Sequence, residues 1–65
     1  MMVIDKVKFF IHCAKRKKNM SDVIADAGLS SMVMKNINAG RASTAATVGK
    51  LAEVLQCQPE ELLKL

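Results

Sequence analysis

Val23 to Gly40, VIADAGLSSMVMKNINAG, reads as two short helices joined by a tight turn at Gly28-Leu29-Ser30. Val23, Ile24 and Ala27 give the first helix an apolar side. Gly28 stops it, because a residue without a Cβ takes the left-handed conformation most easily. Ser30 is placed to cap the second helix, whose apolar set is Val33, Met34 and Ile37, at i, i+1 and i+4. Ser31, Met32, Lys35, Asn36 and Asn38 must mostly face elsewhere, and Gly40 ends the helix. Two short helices around such a turn make a helix-turn-helix, whose second helix enters the major groove of DNA.

Outward from this stretch the pattern stays helical. Downstream, Thr44 is a cap for a helix whose stripe is Val48, Leu51, Ala52 and Leu55, at i, i+3, i+4 and i+7. Pro59 then suits a first helical position; Glu60 and Glu61 fill that first turn, and Leu62, Leu63 and Leu65 follow. Upstream, Asn19 can cap the helix before Gly28, with Asp22 as a capping-box-like partner. A first helix from Val3 to about Lys17 presents Val7, Ile11 and Ala14 on one face, widened by Phe10. Asp5 at its start and Lys15-Arg16-Lys17-Lys18 at its end suit the helix dipole. Met2, Phe9 and Cys13 form a second, imperfect stripe. It is either buried under the last helix or a dimer surface, and an exposed Phe favours the dimer. The reading is all-α: five helices, no strand, no repeat and no linker.

Composition bounds the rest. Sixty-five residues make a single domain, 1–65, which buries only about 60% of its unfolded surface. Hydrophobic residues are 51% of the chain, and Phe9 and Phe10 are its aromatics, so the core is aliphatic and Met-rich. Cys13 and Cys57 are too few for a disulfide framework and read as small apolar residues of a reducing cytoplasm. Adjacent His12 and Cys13 point about 100° apart on a helix, and zinc takes four ligands, so no metal site is read. Asp5, Lys6, Lys8 and His12 interrupt the apolar N-terminus, which excludes a signal peptide or a membrane span. A cytoplasmic location follows. Residues 1–50 hold nine Lys/Arg against three Asp/Glu (+6), and residues 51–65 one against three (−2). A basic body suits a polyanion.

Ala27-Gly28-Leu29-Ser30, Ile37-Asn38-Ala39-Gly40 and TVGKLAEVLQCQPEELL (Thr47–Leu63) occur in an order and spacing that resemble the lambda-repressor-like helix-turn-helix family. That family includes phage Cro and repressor heads and the Xre-type regulators. The resemblance covers about residues 19–65, with the first helix agreeing only in pattern. It implies a compact five-helix lambda-repressor-like DNA-binding domain whose third helix lies in the major groove. Carried over from Gly28 and Gly40, the family's base-reading positions fall on Ser31, Met32 and Asn36, with Lys35 close by. Its phosphate contacts fall on Asn19, Ser30 and the loop holding Arg41, Ser43 and Thr44. Met20 stands where the family often has a phosphate-binding Gln, Ala39 where it often has an Asn, and Asn38 where it usually has a Glu.

Each side chain admits a chemical role beside a plain one. The Asn36 amide can pair two-fold with adenine N6 and N7, or simply solvate the helix. Met32 can pack on a thymine methyl, or face a protein partner. Ser31 can touch a base or a phosphate, or share in capping. Lys35 can reach a guanine or a phosphate, or stay solvated. Arg41 follows Gly40 where the family grips the backbone, and the Lys15–Lys18 run can meet phosphate or remain a solvated helix end. The function so read is a sequence-specific, Cro-like transcriptional regulator. It is expected to bind double-stranded DNA as a homodimer on a near-palindromic site, with half-sites about 34 Å apart, and to act as a repressor. The alternative is a protein-interaction module on the same fold with weak or no DNA binding, motivated by Met20, Ala39 and the apolar Met32-Val33-Met34. An enzyme is not expected: the chain has one His, no paired carboxylates at useful spacing and no Gly-rich phosphate loop. Neither cofactor nor small-molecule ligand is called for.

Overall fold

Asp5 sets where the first helix begins. Its Oδ1 accepts from the Val7 N–H (2.9 Å) and the Lys8 N–H (3.1 Å), a cap worth about 1 kcal/mol. In the computed structural model, which describes residues 2–64, α1 therefore runs Lys6–Lys15. The residues ahead of it, expected as a first helical turn, are extended. Met2–Val3 form β1, antiparallel to β2 (Ala42–Ser43), with Met2 opposite Ser43 and Val3 opposite Ala42. The same segment is tied to the C-terminal end. The Asp5 N–H donates to the Leu62 carbonyl (2.8 Å), the Lys64 N–H donates to the Val3 carbonyl (2.8 Å), and Ile4 bridges Leu63. Strands of two residues are too short to show an alternating pattern, so the sequence carries no sign of them.

These ties turn α1 over relative to the expected face. Val7, Phe10 and Ile11 are 66%, 58% and 46% exposed, and Ala14 is exposed with them. Phe9 (0%) and Cys13 (1%), expected on a dimer surface with Met2, lie in the core, and of that trio only Met2 reaches solvent. The reason is that α1 is apolar on two sides, so its periodicity fits either. Ile4, bridged to Leu63 and itself buried, leads into α1 with its side chain inward. Phe9 and Cys13 continue that side. Burying a Phe contributes about 2–3 kcal/mol, which makes Phe9 the principal anchor of α1.

Three further α-helices follow: α2 (Met20–Asp26), α3 (Met32–Asn38) and α4 (Ala45–Leu55). The expected α4 stripe, Val48, Leu51, Ala52 and Leu55, is wholly buried. The Thr44 hydroxyl oxygen accepts from the Thr47 N–H at 3.2 Å, capping α4 as read. Val23 and Ile24 of α2 and Ile37 of α3 complete the core with Leu62. Val33 and Met34 pack against it half-buried. The fifth expected helix is a single 3₁₀ turn, Pro59–Leu62, in which the Glu61 carboxylate accepts from the Gln58 N–H at 2.7 Å. It ends there because Leu63 is drawn into the bridge with Ile4. Leu65, read as part of that helix, lies outside the described residues. The architecture is thus mostly helical, with four α-helices, one 3₁₀ turn and a two-stranded sheet among the described residues, rather than five helices. No described helix is long and apolar enough to cross a membrane.

All four α-helices end alike. After each, one N–H reaches back three residues and the next reaches back five: Lys17 and Lys18 after α1, Gly28 and Leu29 after α2, Gly40 and Arg41 after α3, Gln56 and Cys57 after α4. This is the Schellman arrangement, which needs a left-handed residue at the turn. Gly28 (φ 73°) and Gly40 (φ 70°) supply it readily, whereas Lys17 (φ 57°) and Gln56 (φ 54°) adopt it with a Cβ. The Lys15–Lys18 run is accordingly not one cationic surface. Arg16 Nε donates to the Leu55 carbonyl (3.2 Å), joining the ends of α1 and α4, and Lys18 Nζ pairs with Asp26 Oδ2 (2.9 Å).

Candidate nucleic-acid interface

The turn between α2 and α3 is built by backbone bonds. The Gly28 N–H donates to the Ala25 carbonyl (2.9 Å) and the Leu29 N–H to the Ile24 carbonyl (3.0 Å). A Cβ built on Gly28 or Gly40 meets nothing within 4 Å, so both glycines are there for φ and not for space. Leu29 then turns back against the core, half-buried. The Ser30 carbonyl accepts from Val33 N–H (3.1 Å), and the Ser31 carbonyl from Met34 N–H (3.1 Å) and Lys35 N–H (3.4 Å). The helix cap is therefore Ser31, one residue later than expected, and its hydroxyl makes no capping bond. Both serine side chains are exposed.

Ile37 is the buried pin of α3 and fixes how it is rolled. Residues four and seven apart share a face, so Ser31, Lys35 and Asn38 line up, all exposed, with Met32 beside them 55% exposed. Asn36 stands one turn beyond Met32, on the flank of this face, and is half-buried. The structure thus brings Ser31, Met32 and Lys35 together outward and leaves Asn36 at their edge. Asn38, not among the expected contacts, belongs to the outward row; its i+7 spacing from Ser31 was the available signal.

The expected phosphate contacts divide. Arg41 is exposed directly after the left-handed Gly40, beside α3, and Ser30 is exposed at the turn. Ser43 is half-buried in β2 opposite Met2. The Thr44 hydroxyl is engaged within α4: besides capping, it donates to Thr47 Oγ1 at 3.0 Å. Asn19 is the N-cap residue of α2, but its side chain makes no capping bond and instead donates Nδ2 to Asp22 Oδ2 at 3.4 Å. Met20 lines a groove of about 460 Å³ with Phe10, Ala14, Lys18, Asn19, Ser21 and Met34. A second groove of about 390 Å³, almost wholly apolar, shares Ser21 and Met34 and continues to Leu29 and Lys35.

The chemistry of the rest is that of a binding surface. No polar or charged side chain is buried among the described residues, and no three His, Cys, Asp or Glu there could hold a metal. Burial pushes the Cys13 thiol above its ordinary value, with Cys57 adding to the shift. Burial likewise raises Cys57, reinforced by Glu61 and opposed by Arg16 and Lys15. Both thiols therefore keep their protons at neutral pH, which makes them poor nucleophiles and poor metal ligands.

A short helix pinned by one buried residue, set off by two left-handed glycines and presenting polar and cationic side chains outward, defines a helix-turn-helix DNA-binding domain. A family model described as a Cro/C1-type HTH DNA-binding domain matches residues 11–65. The chain belongs to that family, a family of DNA-binding domains and typically not of enzymes. No curated protein and no solved structure matches the chain.

Proposed function

We propose that the protein is a sequence-specific transcriptional regulator whose α3 reads the major groove, with residues 1–65 acting as one unit in the cytoplasm. The observation that carries this reading is the outward row of α3. Ser31, Met32 and Lys35 are exposed together, Asn36 is at their edge, and Arg41 stands beside the helix end. In this reading Lys35 and Asn36 supply hydrogen bonds to base edges and Met32 supplies apolar contact to a thymine methyl. Arg41 and the Ser30 hydroxyl hold the phosphate backbone and set the register without reading sequence. Ser43 and Thr44 contribute through the backbone of the loop, since their side chains are packed or engaged. Two copies bind a near-palindromic site with half-sites about 34 Å apart, and occupancy of such a site represses transcription where it overlaps a promoter.

The experiment is selection from random duplex DNA at two salt concentrations. An enriched palindrome with a steep salt slope is the expected result. Retention without an enriched motif would reduce the protein to a nonspecific basic binder, and no retention at low salt would end the DNA reading. With a site in hand, Asn36→Ala relaxes preference at one base pair by about 1–3 kcal/mol; unchanged preference everywhere removes Asn36 from the contacts. A second reading, a protein-interaction module on the same fold, is favoured by the apolar side chains of Met20 and Met34 in a groove where a phosphate-binding side chain would stand.

A further inference from the structure

α1 leaves an apolar face without a partner. Val7, Phe10, Ile11 and Ala14 lie at i, i+3, i+4 and i+7, on the side opposite buried Phe9 and Cys13. Singly exposed apolar residues are ordinary, but a contiguous row of large ones marks a binding surface. The three large side chains leave roughly 300 Å² open to water. The row does not stop at the helix edge. Phe10 and Ala14 continue into the concave groove floored by Met20 and Met34. A ridge on a convex partner fills such a shape, whereas a flat lipid surface does not.

Charge selects the partner. The face is bordered on α1 by Lys6, Lys8 and Lys15, with Lys17 just beyond its end. The acidic groups nearest it are engaged: Glu61, near Ile11 and Lys8, has its carboxylate on the Gln58 N–H, and Asp26 and Asp22 accept from Lys18 and Asn19 of the groove. A second copy of this chain would set lysine borders against lysine borders, and a standard-size interface takes about 800 Å² per partner, well beyond the row itself. Like charges brought together across an interface oppose association, and opposite charges steer it. A helix docked in a groove carries its apolar anchors at i, i+3, i+4 and i+7, a ridge that the groove beside Phe10 and Ala14 would receive.

We propose that the Val7–Phe10–Ile11–Ala14 face and the groove onto Met20 and Met34 dock an amphipathic helix of another protein whose apolar ridge is bordered by Asp and Glu. The α1 row is separate from the outward row of α3 and does not rest on the DNA reading; its groove end, at Asn19 and Met20, adjoins a place where that reading looks for phosphate.

The test uses the full chain and three labelled helical peptides in fluorescence anisotropy. One carries a Leu ridge at i, i+3, i+4 and i+7 flanked by Glu, one the same ridge flanked by Lys, and one the Glu composition with its ridge scrambled. Saturable binding of the Glu-flanked peptide, at least about tenfold tighter than either control, is expected. Phe10→Ser and Ile11→Ser, at exposed positions, should each weaken it about tenfold while the melting temperature stays put. Four results would overturn the proposal. They are equal affinity for the scrambled peptide, no saturation up to about 1 mM, dimeric sedimentation that Phe10→Ser abolishes, or Phe10-dependent binding to phosphatidylglycerol vesicles in place of the peptide. The first two leave a merely basic surface or an empty groove, the third assigns the face to a second copy, and the fourth assigns it to a membrane.

Discussion

Phe9 and Phe10 are chain neighbours with opposite fates, 0% and 58% exposed, and replacing each by Ala tests how α1 is rolled. A domain of 65 residues has a total stability of roughly 3–10 kcal/mol at typical per-residue values. Removing a buried Phe side chain costs about 3–5 kcal/mol, the lost transfer energy plus a cavity that the neighbours only partly fill. Phe9→Ala therefore removes from about a third to all of the stability. Phe10→Ala removes a ring that already faces water and changes stability by less than about 0.5 kcal/mol. Phe9→Leu, which keeps most of the volume, costs less than about 1.5 kcal/mol and stays folded, so a graded scale is available even if the Ala variant is not. The chain has no Trp and no Tyr, so urea unfolding is followed by far-ultraviolet circular dichroism. Equal costs at the two positions, or a larger cost at Phe10, would refute the burial of Phe9 and with it the exposed face of α1.

The shared helix endings predict opposite signs at equivalent places. Lys17→Gly and Gln56→Gly each relieve a left-handed residue of its Cβ and stabilise by about 0.5 kcal/mol, after the added freedom of the unfolded chain is subtracted. Gly40→Ala, with no atom in its way, costs about 1 kcal/mol, and urea midpoints check all three. For DNA binding, Arg41→Ala weakens every sequence about equally and lowers the salt slope by about one, read from affinities across a salt series. The raised thiols give a pH dependence. A thiol whose folded value lies above its unfolded one contributes stability that is whole below the unfolded value and is lost as pH rises through the folded one. Urea midpoints should thus fall as pH rises past the ordinary thiol range, and fall less in Cys13→Ala.

Where local chemistry alone determines structure, the sequence was transparent. The Thr44 cap, the Val48–Leu55 stripe and the stops at Gly28 and Gly40 each depend on residues within a few positions of one another. The roll of α1 was not legible, because both its faces are apolar and the choice is made by Leu62, Leu63 and Lys64, more than fifty residues away in the chain. The left-handed turns at Lys17 and Gln56 were hidden for a related reason: their side chains tolerate a conformation they do not announce. In the interface, Ser31, Met32 and Lys35 followed from the position of Ile37. Asn36 is half-buried because the flank of α3, and not only its buried line, approaches the rest of the fold. That the Thr44 hydroxyl is engaged by Thr47 could be anticipated only by treating a cap and a phosphate contact as competitors for one oxygen.

The segment 2–5 lies between β2 and residues 62–64, hydrogen-bonded toward both. During synthesis it leaves the ribosome before either neighbour exists. The α2–turn–α3 pair, held by local bonds, can form while translation continues, but Phe9 has no settled place until Leu62 and Lys64 have emerged. Long-range closure of this kind comes late in folding. The nascent chain therefore carries the helix pair before it has a rigid body to support it, and the segment 2–5 is locked in only once residues 62–64 have emerged.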